Sequence, residues 1–111
     1  ELDTFDAIVR NGKAETPLGS FDAAYPDGQP VTVAVRLGDI EIGGGEGNIP
    51  ARILSRRFLG ETELLQLAVP GHETPVSTRQ RCGTVRAQDR DIGIFVRNDR
   101  VLVFERSGES A

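Results

Sequence analysis

Side chains able to do covalent or metal chemistry are scarce in this sequence. His72 is the only imidazole and Cys82 the only thiol. His72 follows Gly71 in the turn "PGHE", which predicts an exposed and idle ring. Cys82 lies between Arg81 and Gly83. Neighbouring cations favour a thiolate, but a Cys–His nucleophile would also need the lone histidine brought to it by the fold. A zinc centre takes about four Cys, His or carboxylate ligands at recognisable spacing, and one His with one Cys falls short. Asp89 and Asp91 in "QDRD" lack the glycine and downstream glutamate of a calcium loop and read as a hydrated acidic turn. The glycine run "GGGEG" is no phosphate cradle, because a P-loop needs Gly-Lys-Ser or Gly-Lys-Thr, and Gly12-Lys13 is followed by Ala14. No catalytic residue, metal ligand or cofactor-binding residue is therefore assigned, and the chain is not expected to be an enzyme by itself.

What remains is charge placed beside apolar residues. In "NIPARILSRRFLGETELLQLAVPG", residues 48–71, Arg56 and Arg57 stand directly before Phe58-Leu59-Gly60. Ile49, Ala51 and Ile53 fall on one face of a strand, and Leu65, Leu67 and Val69 repeat that pattern after Gly60. Between the two runs the phase breaks, since Ser55 and Arg57 occupy inward positions. A bulge between Ser55 and Phe58 would restore it, turning Phe58 inward and leaving Arg56 and Arg57 outward. The two arginines then read either as solvated flanks of a kinked strand or as contacts for a partner, since Arg pairs bidentately with carboxylates and is common at interface hot spots.

The elements that must position these groups are strands. Phe5, Ala7 and Val9 alternate with polar or outward neighbours and lead into Asn11-Gly12, a strong hairpin signal. "KAETPLGSF" reads as a return strand interrupted by Pro17, and 24–30, with two prolines, as a loop. "VTVAVR" (31–36) is the clearest strand, with Val31, Val33 and Val35 on one face; "LGDIEI" continues it or makes one helical turn. The run 43–47 divides a first half (1–42) from a second (48–105). In the second half, "TPVST", "IGIFV" (92–96) and "VLVFE" (101–105) are strands, 79–91 is a polar loop, and 106–111 is a tail expected to fray. About nine short strands with regular turn signals predict an all-β fold, a small OB-like barrel of antiparallel strands that closes to remove its edges.

Composition narrows the function classes. The 111 residues suit one domain or two small ones, and 38% are hydrophobic. A net charge of −4 argues against a nucleic-acid binder, which usually carries a basic stripe. Of the aromatics, Phe5, Phe58 and Phe104 read as core-facing and only Tyr25 as exposed, so a stacking platform is poorly supplied. All cations but Lys13 are arginine, a trait of composition rather than of function. One cysteine forms no internal disulfide, which agrees with a reducing compartment such as cytoplasm. No apolar run approaches the roughly 20 residues that span a bilayer, so direct membrane insertion is not expected. With no methionine and a start at Glu1, the chain is expected to be part of a longer protein or a processed one.

The order "VAVRLGDIEI", a glycine-rich gap, "GNIPARILSRRFLGETELLQLAV" and a closing "VLVFE" resembles the C-terminal TOBE domain of ABC importer ATP-binding subunits. The resemblance covers about 31–105, and "ETPLGSF" is compatible with the preceding segment in iron, polyamine and thiamine importers. Two departures stand out. Leu37-Gly38 replaces the family's Pro-Glu after Val-Arg, and "QDRDIG" replaces a common Gly-Asp, so no ligand role is carried over to that loop. The resemblance implies an OB-like regulatory or dimerisation domain. ATP and Mg would belong to a separate, N-terminal ATPase domain. It further implies a homodimer, permease subunits as partners through that ATPase domain, and a place on the cytoplasmic side of the inner membrane. Arg36 and Asp39 occupy the family's turn, where they read as an internal pair locking it or as regulatory contacts; Arg56, Arg57 and Phe58 would stand at the barrel rim, where another copy or a regulator docks. A small oxyanion-binding barrel and an OB-type nucleic-acid module are the alternatives.

Overall fold

A computed structural model describes residues 2–43 and 48–106. Among them are ten strands: β1 (Leu2–Arg10), β2 (Lys13–Thr16), β3 (Gly19–Asp22), β4 (Pro30–Arg36), β5 (Ile40–Ile42), β6 (Ile49–Phe58), β7 (Thr62–Ala68), β8 (Val76–Arg81), β9 (Asp91–Val96) and β10 (Leu102–Glu105). Short 3-10 turns at Leu37–Asp39 and Asn98–Arg100 join β4 to β5 and β9 to β10. Every pairing is antiparallel, and the strands form two five-stranded sheets ordered β10-β4-β1-β2-β3 and β5-β9-β6-β7-β8. The fold is all-β and OB-like, as the alternation predicts.

Local sequence explains most of the strand ends. Asn11 and Gly12 adopt φ of 52° and 73°, the positive values a two-residue hairpin turn requires. Pro17 does more than interrupt a return strand. It lacks the N–H a ladder needs, so the segment folds into a second hairpin, β2–β3, with Lys13 to Thr16 paired against Gly19 to Asp22. The Thr16 hydroxyl holds the turn, accepting from Leu18 N at 3.0 Å and donating to Gly19 O at 2.9 Å. "LGDIEI" makes both expected structures in succession, a 3-10 turn and then β5. The loop expected over 79–91 begins only after Arg81, because Arg79 to Arg81 pair with Leu64 to Thr62 of β7.

The two sheets do not divide at the glycine run, of which 44–47 lie outside the described residues, as do 107–111 of the tail. β5 pairs with β9, and β10 returns to pair with β4. The chain therefore changes sheet in the 3-10 turns at 37–39 and 98–100, since strand pairing is non-local and need not follow chain order. Phe5, Val33, Ile40, Leu65, Leu67 and Ile94 belong to one apolar cluster that links both sheets. Where β5 meets β9, Gly43 N donates to Gly93 O at 3.1 Å. A Cβ added at Gly93 would lie 2.8 Å from Gly43 O, so this approach requires glycine.

Three aromatic and imidazole expectations are corrected by register and packing. Phe104 pairs with Thr32, beside Asp6, on the outer face and is half exposed, because Val103 takes the inward position opposite Val33. Tyr25 is half-buried rather than exposed. His72 is half-buried too: its ring packs on Phe5 with centroids 4.7 Å apart, and it shares a 3.1 Å hydrogen bond with the Thr74 hydroxyl.

Candidate functional site

The bulge in β6 exists, but it falls earlier than the pattern suggests. Register runs Ile53↔Leu67 and then Ser55↔Gln66, so Leu54 is the extra residue, and its side chain is exposed. Both Leu54 and Ser55 face outward, and the inward phase resumes at Arg56. Arg56 is therefore turned in rather than splayed out. Arg57 faces solvent. Phe58 returns to the inward phase opposite Glu63, yet it lies beyond the cover of the core and is 67% exposed, which corrects its expected burial.

Arg56 turns toward a carboxylate. Glu63 sits in the inward phase of β7 with Leu65 and Leu67 and is wholly buried. Arg56 Nε donates to Glu63 Oε1 and Nη2 to Oε2, each at 3.0 Å, the bidentate geometry that suits a guanidinium. Its remaining donors close the loop over the pair: Nη2 reaches Val85 O and Nη1 reaches Arg86 O, both at 2.8 Å. Hydrogen bonding to Glu63 holds the guanidinium protonated above its ordinary range, outweighing the burial that opposes it.

The loop from Cys82 to Arg90 is tied at both ends as well. Cys82 N donates to Glu61 O at 2.9 Å, and Ile53 N donates to Arg90 O at 2.8 Å. Arg86 and Asp89 pair within it at 3.4 Å. Between this loop and the end of β6 runs an open groove of about 630 Å3, lined by Arg56, Phe58, Gly83, Val85, Arg86 and the 87–88 segment. Arg56 thus shapes the groove's floor with donors already engaged, while Phe58 offers it an exposed ring.

Arg36 and Asp39 form the pair expected across their turn, Nη1 to Oδ2 at 3.9 Å. That turn packs under the inner face of β8, where the Thr78 hydroxyl donates to Ile40 O at 2.9 Å and Gln80 Nε2 donates to the same oxygen at 2.7 Å. The structure therefore does not bring Arg36 and Asp39 together with Arg57, which stands on the outer face of the same sheet. His72 and Cys82 lie before and after the six-residue β8, roughly 20 Å apart by strand rise. Cys82 Sγ instead donates to Gly60 O at 3.4 Å. Among the described residues no cluster of His, Cys, Asp and Glu is placed to hold a metal, and no helix is long and apolar enough to cross a membrane.

Sequence reasoning missed Glu63. The signal was present: "TELLQLA" puts a carboxylate in the same phase as Leu65 and Leu67, and a buried acid demands a cation from the facing strand.

The class these features define is an all-β, OB-like barrel fold, with an internally neutralised Arg–Glu clamp at one end. No family profile matches the chain, and no curated protein does. Among solved structures it is similar in fold to ModG, described as a cytoplasmic molybdate-binding protein with a cooperative binding mechanism and crystallised with molybdate bound. That likeness has a TM-score of 0.74 at 11% identity and covers 94% of this chain and 96% of that one.

Proposed function

We propose that this chain is a non-catalytic accessory domain of an ABC importer's ATP-binding subunit, dimerising two such subunits or carrying a regulatory signal to them. The observation that supports the reading is the ordered series "VAVRLGDIEI", "GNIPARILSRRFLGETELLQLAV" and "VLVFE" lying on a TOBE-type fold. On this reading ATP and Mg are bound by a separate domain, the permease subunits are reached through that domain, and the assembly works at the cytoplasmic side of the membrane. "ETPLGSF" favours a ferric iron or polyamine importer. The test is the coding frame upstream of Glu1. A P-loop followed by the switch residues of a transport ATPase is expected, and a frame without one ends the proposal.

The fold shared with a molybdate-binding protein favours a second reading, in which the barrel binds a small oxyanion. It predicts thermal stabilisation by molybdate, sulfate or phosphate that grows with concentration. A melting temperature indifferent to all three removes it.

A further inference from the structure

We propose that the outer face of β6, β7 and β8 is a docking surface for an extended, acidic polypeptide segment of a partner protein. Register places Arg57, Leu64 and Arg79 in one row across the three strands, and Thr62 with Arg81 in the next. The adjoining row is Ser55, Gln66 and Ser77. Arg57, Arg79 and Arg81 are all exposed, and the guanidinium of none of them takes part in an ion pair or hydrogen bond among the described residues. Most other arginines are neutralised close by: Arg36 by Asp39, Arg52 by Asp91, Arg56 by Glu63, Arg86 by Asp89 and Arg97 by Asp99. In a chain of net charge −4, an outer face with three unpaired guanidiniums is a local exception.

The carboxylates nearest this face are engaged rather than free to neutralise it: Asp3 of β1 accepts from Ser77 N at the β8 edge at 3.1 Å. Glu63 points inward to Arg56, Asp91 pairs with Arg52 at the far end of β6, and Glu61 belongs to the hairpin turn. Arg79 and Arg81 stand about 7 Å apart on one side of their strand, and Arg57 lies about 10 Å from Arg79 across β7. These separations are within about one Debye length at 0.1 M salt, so the three fields add.

Spacing and topology select the occupant. An extended peptide presents alternate side chains at the same 7 Å repeat, so carboxylates two residues apart meet Arg79 and Arg81 in register. β8 is the last strand of its sheet, but its edge is engaged, since Asp3 Oδ2 of β1 accepts from Ser77 N at 3.1 Å, so the segment lies across the face rather than adding as a further strand. The centre of the face is Leu64, half-buried, with hydroxyl and amide side chains around it and no exposed aromatic ring. That chemistry serves carboxylates and gives nucleobases nothing to stack on.

The experiment is fluorescence anisotropy with a short labelled peptide of alternating Thr and Glu, its Thr-Gln counterpart, and a single-stranded oligonucleotide of equal charge. The Thr-Glu peptide is expected to bind with an affinity that falls as salt rises, and the Thr-Gln peptide to bind far less. Arg57→Gln, Arg79→Gln and Arg81→Gln together should weaken binding about tenfold, the sum of three exposed ion pairs. The melting temperature should stay unchanged. Arg79→Gln alone should give a smaller loss, and Arg100→Gln, on the β9–β10 turn, none. The proposal is overturned by no binding of the Thr-Glu peptide, by equal binding of the Thr-Gln peptide, by unaltered binding in the triple variant, or by tighter binding of the oligonucleotide.

Discussion

Replacing Glu63 by Gln tests whether the Arg56 clamp holds this end of the barrel. Gln keeps the shape and one carbonyl acceptor but sets an NH2 against one of the guanidinium donors now 3.0 Å away. One charge-assisted hydrogen bond is lost, worth about 1.5–3 kcal/mol. Arg56 also loses its counter-charge, though its side chain, 18% exposed, regains some hydration. The two effects sum to about 3 kcal/mol, the low end of the cost of breaking a buried pair. In a domain of this size that lowers the melting temperature by roughly 10–20 °C. Urea denaturation should show a reduced midpoint with an unchanged slope. The loop should loosen with it, so trypsin should cut faster after Arg86 and Arg90. Converting both partners, Arg56→Leu with Glu63→Leu, should cost less than either single change, because no buried charge is then stranded. A loss below about 1 kcal/mol for Glu63→Gln, or a double variant as damaging as the two singles summed, would refute the reasoning.

Three further perturbations follow from the geometry. Gly93→Ala drives a methyl group to 2.8 Å from Gly43 O and should cost about 1–3 kcal/mol in urea unfolding; an unaltered midpoint would mean that β5 and β9 do not approach so closely. Arg57→Glu should leave stability within about 0.5 kcal/mol while Arg56→Glu strands two buried carboxylates and prevents folding, so equal effects in a thermal melt would place the bulge elsewhere. The Asp22 carboxyl is held below its ordinary pKa, first by its hydrogen bond from Lys13 and then by that from Asn98. Because its folded pKa is the lower one, its contribution is complete above the unfolded value of about 3.9 and fades as pH falls through the folded value. Asp22→Asn should therefore flatten the acid limb of stability against pH, and an identical limb would exclude this group.

The strands were legible because alternation is a local signal. Val31, Val33 and Val35, or Phe5, Ala7 and Val9, declare their face without knowledge of any partner. The Asn11-Gly12 turn is equally local. The pairing of Arg36 with Asp39 is one of the two readings that the family resemblance implies for their turn, and the structure shows it at 3.9 Å. What sequence did not reveal depends on which strands meet. The return of β10 to β4 made Phe104 an outer residue, and the extension of β8 to Arg81 placed Arg79 beside the Arg57 row. Phe58 was assigned the right phase and the wrong burial, since phase says which way a side chain points and nothing about whether the core extends that far.

Glu63 weighs against the later bulge that the alternation in β6 suggests. Two registers are open to "ARILSRRF". Without a bulge before Arg56, Ser55 and Arg57 would point inward, and a bulge after Ser55 would send Arg56 out. The second leaves Glu63 buried without an inward cation, at a cost of several kcal/mol for the isolated ion; the first would set Arg57 itself opposite Glu63. Inserting Leu54 outward loses one ladder position but brings Arg56 into line, and that single residue flips every side chain beyond it. The clamp thus helps to select register as well as to hold the loop, and register is the best-attested use of a buried ion pair. With Arg56 taken inward by Glu63, its neighbour Arg57 faces outward in the row of Arg79, with no ion-pair partner among the described residues.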